Sequence, residues 1–282
     1  MAVGSQPVNA HIEATTAGND APRPRVVLLT SAGLFGAEII NALASEPGLD
    51  FVGIGFTNRV LKNKGMLASV RALIKRCGWR YVGYGALTST YAWSMLRLTG
   101  RPFGMKGRAI RFLSDVNSAD SIEWMKSLQP DYVASFYFNQ WIGKGVREVP
   151  KKACINLHPS LLPHLRGPDP FFRALQRDLP TTGITLHMVD DGFDTGNILC
   201  QEERPVAPGS SALSFSLTQV REGARLLADW IAGKKEASRV APETDAGDYS
   251  SFPEPAEVTQ FLRSGRRLLG FRELRRAIKD VR

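Results

Sequence analysis

The run Ala153-Cys154-Ile155-Asn156-Leu157-His158-Pro159-Ser160-Leu161-Leu162-Pro163-His164-Leu165-Arg166-Gly167 organises the reading of the whole chain. Its first six residues form a short apolar stretch. In an extended conformation, alternate side chains put Cys154, Asn156 and His158 on one face. An amide and an imidazole then stand side by side where a buried strand opens into a loop, the place where open parallel sheets put their chemistry. Pro159 and Pro163 restrict the backbone of that loop, and Gly167 admits conformations closed to other residues.

The flanking segments supply a sheet for this strand. Arg25 to Thr30 is an apolar strand, followed by the glycine turn Ser31 to Gly36, a helical pattern through Ala44, and a second strand from Phe51 to Phe56. Further strands are expected at Arg108–Leu113, Asp131–Tyr137, Thr182–Val189 and Asn197–Val206. Between them lie helices opened by Ser118 or Asp120, around Ile142–Glu148, from Asp169 to Arg177 with Pro170 in the first turn, and from Ser210 or Ser211 to Ile231. Strands alternating with helices predict an α/β fold with a doubly wound, mostly parallel twisted sheet. The first glycine turn is not a G-x-G-x-x-G fingerprint, so no dinucleotide is inferred; Gly33 and Gly36 let the helix start close to the sheet.

With 43% hydrophobic and 22% charged residues among 282, the chain can bury one large core plus a small appendage. No segment offers the roughly 18 consecutive apolar residues of a spanning helix, and the N-terminus lacks signal-peptide features, so a cytoplasmic location is the default. Cys77, Cys154 and Cys200 are widely spaced and odd in number, which indicates neither a disulfide framework nor a metal motif. Residues 1–24 are expected to be a disordered leader. Residues 233–282 are expected to form a polar linker and a basic C-terminal extension, ending in a helix from Phe271 docked through Phe271, Leu274 and Ile278.

The net charge of +9 is localised. Between Phe51 and Ser114 there are twelve basic residues and no Asp or Glu, and from Leu262 to Arg282 the net charge is +6. Subtracting both from the total leaves the rest of the chain at −9. The first segment, an insertion at about 58–110, carries two helical patterns, Met66–Cys77 and Tyr84–Leu98, and the aromatic residues Trp79, Tyr81, Tyr84, Tyr91 and Trp93. One reading is a helical hairpin packed on the domain with a solvated basic rim. The sharper one is a platform for an anionic partner: a membrane surface, a phosphate-bearing substrate, a carrier protein or RNA.

Asn156-Leu-His158, Ser160-Leu-Leu-Pro163, Arg166-Gly167, Thr182-Gly-Ile-Thr185 and Asp194-Thr-Gly196 resemble the signature of the folate-dependent formyltransferases, the superfamily of glycinamide ribonucleotide, methionyl-tRNA and sugar-amine formyltransferases. The resemblance runs from about Arg25 to Ile231 and is strongest from Pro130 to Cys200. It implies the Rossmann-like formyltransferase fold over residues 25–232, 10-formyltetrahydrofolate as cosubstrate, no metal, and Asn156, His158 and Asp194 as the catalytic trio. It further implies Ser160, Leu161, Leu162, Pro163, Tyr137, Phe138, Asp190, Asp191, Gly192 and Phe193 around the folate. Arg166 and Gly167, with the helix N-terminus near Pro168, are implied at an anionic acceptor. His164 and His187 lack such company and read as structural. The chain departs from the pattern in its basic aromatic insertion, its atypical first glycine turn, and a C-terminus too short for the oligonucleotide-binding barrel of the methionyl-tRNA enzymes.

The leading expectation is therefore N-formyl transfer to an amine or hydroxylamine of a small anionic metabolite. Hydrolysis of 10-formyltetrahydrofolate by the same trio, formylation of methionyl-tRNA, and a non-enzymatic surface-binding module on this fold are the alternatives.

Overall fold

A computed structural model describes residues 22–44, 46–57, 66–99, 107–235 and 249–280. The expected leader up to residue 21, the middle of the expected linker, and the ends of the 58–110 insertion lie outside them. In chain order the elements are β1 (Arg25–Ser31), α1 (Leu34–Ala44), β2 (Asp50–Thr57), α2 (Met66–Cys77), α3 (Trp79–Thr99), β3 (Ala109–Phe112), α4 (Ala119–Ser127), β4 (Tyr132–Phe136), α5 (Lys144–Arg147), β5 (Ala153–His158), α6 (Pro170–Gln176), β6 (Thr181–Met188), β7 (Ile198–Pro205), α7 (Ala212–Ile231), α8 (Pro255–Arg263) and α9 (Phe271–Asp280).

The strands form one sheet in the order β3-β2-β1-β4-β5-β6-β7. The first five of these are parallel to one another, and β6 and β7 are antiparallel to their neighbours. Alternation fills both faces, as the near-continuous apolar β1 requires. Val26 and Leu28 of β1 join Ile155 and Leu157 of β5 in the larger core with α1, α6 and α7. Val27, Leu29 and Cys154 face the smaller core, which Met125 of α4 and Val146 of α5 close. Asn156 and His158 share the parity of Cys154, at the strand end.

Local chemistry accounts for the helix boundaries. Ser118 caps α4 by accepting from the Ser121 amide, Asp169 caps α6 with Pro170 behind it, and Ser211 with Ser214 forms a capping box on α7. A Cβ on Gly36 would lie 2.0 Å from the Ser31 carbonyl oxygen, so only glycine lets α1 leave the sheet this tightly. Glu38 of α1 is buried and takes two hydrogen bonds of 2.9 Å from Arg221 of α7, which locks these helices together.

Two segments differ from the sequence expectation. Helix α3 starts at Trp79, five residues before the expected Tyr84, and takes Gly83 and Gly85 into its interior. Packing outweighs glycine's poor propensity here: Tyr84 is buried, and Tyr81 meets Phe172 edge-on at 5.7 Å and donates its hydroxyl hydrogen to Asp169. Helix α8 lies in the stretch expected to be a polar linker and extension, with a helix only from Phe271. Pro255 occupies its first turn behind a Glu254–Glu257 capping box, and Val258 and Phe261 reach the main core. The C-terminal extension is thus built onto the domain. The amides of Ala212 and Leu213 donate to Arg267 and Leu268 carbonyls, and Ala277 of α9 is buried.

Candidate active site

The parallel strands end along one edge, and β5 delivers Asn156 and His158 there. Asp194 arrives from the β6–β7 loop, its backbone in the left-handed region at φ +55°. His158 Nδ1 lies 3.5 Å from Asp194 Oδ1, and Asn156 Nδ2 donates to the same oxygen at 3.4 Å. The three residues expected from the resemblance therefore converge.

Their orientations follow from hydrogen-bond partners that the sequence did not reveal. His158 Nε2 donates to the Leu165 carbonyl at 3.1 Å, which directs Nδ1 toward the carboxylate. His187, expected to be structural, belongs to the site. It stands directly opposite Asn156 in the β5–β6 register, donates from Nδ1 to the Met188 carbonyl at 2.8 Å, and offers Nε2 to Asn156 Nδ2 at 3.0 Å. Asn156 Oδ1 in turn accepts from the Ser135 hydroxyl at 2.7 Å. The carboxamide is held by Ser135 and His187, so one of its hydrogens is committed and the other is held only by the 3.4 Å contact to Asp194.

Asp194 is ionised against its surroundings. Burial disfavours its charge, but above all the charge of His158, with the neighbouring His187 ring and the Gly167 amide, brings its pKa down from 3.8 to about 2. Gly167 is pinned for this contact. It has φ +119°, and a Cβ there would fall 2.1 Å from the Ser250 carbonyl oxygen. The Ser250 amide donates to the Arg166 carbonyl at 2.9 Å, making a parallel bridge between Arg166 and Tyr249. Arg173 ties the same strap down through the Ser251 carbonyl at 2.9 Å and Glu257 at 2.5 Å.

The remaining expected residues divide by role. Ser160 is buried and donates to the His164 carbonyl at 2.6 Å, so it is not poised as a nucleophile. The loop it opens is shaped by Thr185, which donates to the Ser160 carbonyl and accepts from the Leu162 amide, and by Gln201, which donates to the Leu162 carbonyl. Leu162 is buried, Leu161 packs on Gly183, and the Leu162–Pro163 bond is cis. Tyr137 has φ +55° and sits edge-on to Phe35, while Phe138 packs on the smaller core. Asp190 holds its own loop through the Gly192 amide and the Thr195 hydroxyl; Asp191 pairs with Arg147; Phe193 is 64% exposed. One expectation is corrected: the α6 N-terminus near Pro168 already carries the Asp169 carboxylate as its cap, so a second anion there would meet like charge. Among the described residues no group of three His, Cys, Asp or Glu side chains could hold a metal ion.

Residues 113–225 match the model of the formyl transferase family, a span that includes the trio and the residues orienting it. Over those residues the chain is similar to the formyl transferase family. The chain is also similar to the methionyl-tRNA formyltransferases of Trichlorobacter lovleyi, 33% identical over 137 residues, and Thermodesulfovibrio yellowstonii, 34% identical over 133 residues. Those alignments cover 49% and 47% of this chain and 43% of each relative, so the match spans less than half of the curated relatives' length. Among solved structures, a sugar N-formyltransferase from a Shewanella species superposes with a TM-score of 0.51 at 18% identity, over 81% of this chain and 76% of the other. Glycinamide ribonucleotide transformylase 1 from Symbiobacterium toebii gives 0.50 at 16% identity, over 74% and 86%. These two superpositions support the Rossmann-like fold.

Proposed function

We propose that this chain transfers the formyl group of 10-formyltetrahydrofolate to the primary amine or hydroxylamine of a small anionic metabolite. The observation that carries the reading is the convergence of Asn156, His158 and Asp194 within 3.4–3.5 Å, with one amide hydrogen of Asn156 loosely held. As the acceptor nitrogen attacks the formyl carbon, charge develops on the formyl oxygen. Asn156 Nδ2 can redirect its weak hydrogen from Asp194 to that oxygen without moving its anchors, and a protonated His158 Nδ1 is the second donor. Asp194 holds that imidazolium and takes the proton lost by the acceptor nitrogen, directly or through water. Collapse of the tetrahedral intermediate then breaks the bond to the folate nitrogen, which takes the proton that Asp194 or the linking water received from the acceptor, releasing the N-formyl product and tetrahydrofolate.

In this reading Ser160 to Pro163, Tyr137, Phe138 and the loop from Asp190 to Phe193 surround the folate, and Arg166 with Gly167 faces the acceptor. A cytoplasmic location, where the folate pool is available, belongs to the same proposal. Incubation with 10-formyltetrahydrofolate and a panel of amines should release tetrahydrofolate and a formylated product only when the right acceptor is present. Release at full rate without any acceptor overturns transfer in favour of hydrolysis. A second acceptor class is favoured by the 33–34% identity to methionyl-tRNA formyltransferases. Including charged initiator tRNA in the panel decides between the two.

A further inference from the structure

We infer that the α2–α3 hairpin is a docking surface for an anionic lipid bilayer. Each helix keeps one face on the protein and turns another outward. In α2, Ser69 and Cys77 are buried, whereas Leu67 is 80% and Ile74 42% exposed beside Arg71 and Lys75. These four lie at helical spacings of three, four, seven and eight, so they share one stripe. In α3, Tyr84 and Thr88 are buried, while Trp79, Gly83, Ala86 and Leu87 face out with Arg80 next to Trp79. Trp79 is 70% exposed, with the Arg80 guanidinium 5.4 Å from its ring centroid as its neighbour on that face.

The pairing of chemistries selects the occupant. Basic side chains interleaved with Trp, Leu and Ile on an outward helical face match a negatively charged bilayer, which takes the apolar tips into its interface and the cations among its headgroups. The helices themselves contribute no acidic residue. Of the nearby acids, Asp169 is half-buried beneath α3 against the Tyr81 hydroxyl, Glu257 of α8 is paired with Arg173 and Glu38 of α1 with Arg221, leaving Glu254. Arg76 is excluded from the face because it stacks on Phe252. A second copy would oppose like charge, and an RNA would gain nothing from exposed Leu67, Ile74 and Leu87. The hairpin is also tied to the strand edge that carries the site: a Cβ on Gly33, in the β1–α1 turn, would lie 3.0 Å from Ser89 Cα. Docking through it therefore places that edge next to the bilayer.

The test is co-flotation of the full chain, without folate or acceptor, with vesicles of pure phosphatidylcholine or with about 30% phosphatidylglycerol. Binding is expected only to the anionic vesicles and should fall steeply between low and high salt. The triple variant Arg71→Gln, Lys75→Gln, Arg80→Gln should weaken it about 100-fold, from the usual contribution of a basic residue near such a surface. Trp79→Ser with Leu87→Ser should weaken it while leaving the circular dichroism spectrum unchanged. Absence of flotation at low salt overturns the inference. So does binding that survives both variant sets, or a preference for free RNA over anionic vesicles in competition. Because no turnover is read, the outcome is independent of the proposed reaction.

Discussion

Replacing Asp194 with Asn removes one buried negative charge while keeping the side chain's shape, and its effect can be worked out against pH. The wild-type carboxyl has a folded pKa of about 2 against an ordinary value of 3.8. A depressed carboxyl pKa contributes stability that is fully present above the unfolded value and is lost as pH falls through the folded one. At ~1.4 kcal/mol per pH unit this difference is worth about 2 kcal/mol above pH 5, and about half of it is gone at pH 3. The side chain is only 19% exposed, so solvent screening removes little of it. Asn has no such dependence. Urea unfolding of both proteins at intervals from pH 6 to pH 3 should show their stability difference shifting by about 1 kcal/mol in the variant's favour toward acid. At pH 7 the same substitution should lower turnover about 10²- to 10⁴-fold, the range for loss of a positioned base. If the two stability curves run parallel down to pH 3, the histidines do not hold Asp194 as an anion, and the account of the site fails.

Asn156→Ala should reduce kcat by about 10²- to 10³-fold with a smaller change in KM for the folate, as expected for a donor used mainly in the transition state; steady-state kinetics checks this. Ser135→Ala frees one anchor of the Asn156 carboxamide and should cost about 10-fold in kcat, in the manner of an outer residue orienting an inner one. Gly36→Ala drives a Cβ into the Ser31 carbonyl and should destabilise by about 1–3 kcal/mol in chemical denaturation. Arg173→Ala leaves Glu257 without its buried partner and unties the 249–251 strap from α6. A loss of about 3 kcal/mol is expected, with earlier proteolysis of the C-terminal segment.

The sheet was legible because apolar strands and glycine or proline boundaries are local signals. β5 was the clearest: alternation alone put Cys154 and Asn156 on the face they occupy. His158 and Asp194 were legible as a pair only through the motif resemblance, since residues 36 apart carry no spacing rule. His187 was misread because its role depends on strand register. Nothing in Thr182 to Val189 says that β6 runs antiparallel to β5 and sets His187 opposite Asn156. Ser135 escaped for the same reason across β4. α8 lay inside the expected linker and extension, and the Glu254-Pro255-x-Glu257 pattern was the signal that could have found it. The strap over Gly167 joins residues more than eighty positions apart and left no local trace.

The left-handed backbone of Asp194 narrows the history open to this position. Only glycine, asparagine and aspartate sit there at low cost, and each of the other two is a single nucleotide away from an aspartate codon. A lineage released from the reaction can therefore lose its acid in one step and keep the loop, the strap and the neighbouring histidines intact. Relatives carrying Asn or Gly here would be folded proteins that hold the same ligands without turning them over, and the residue at this one site would separate them from the enzymes.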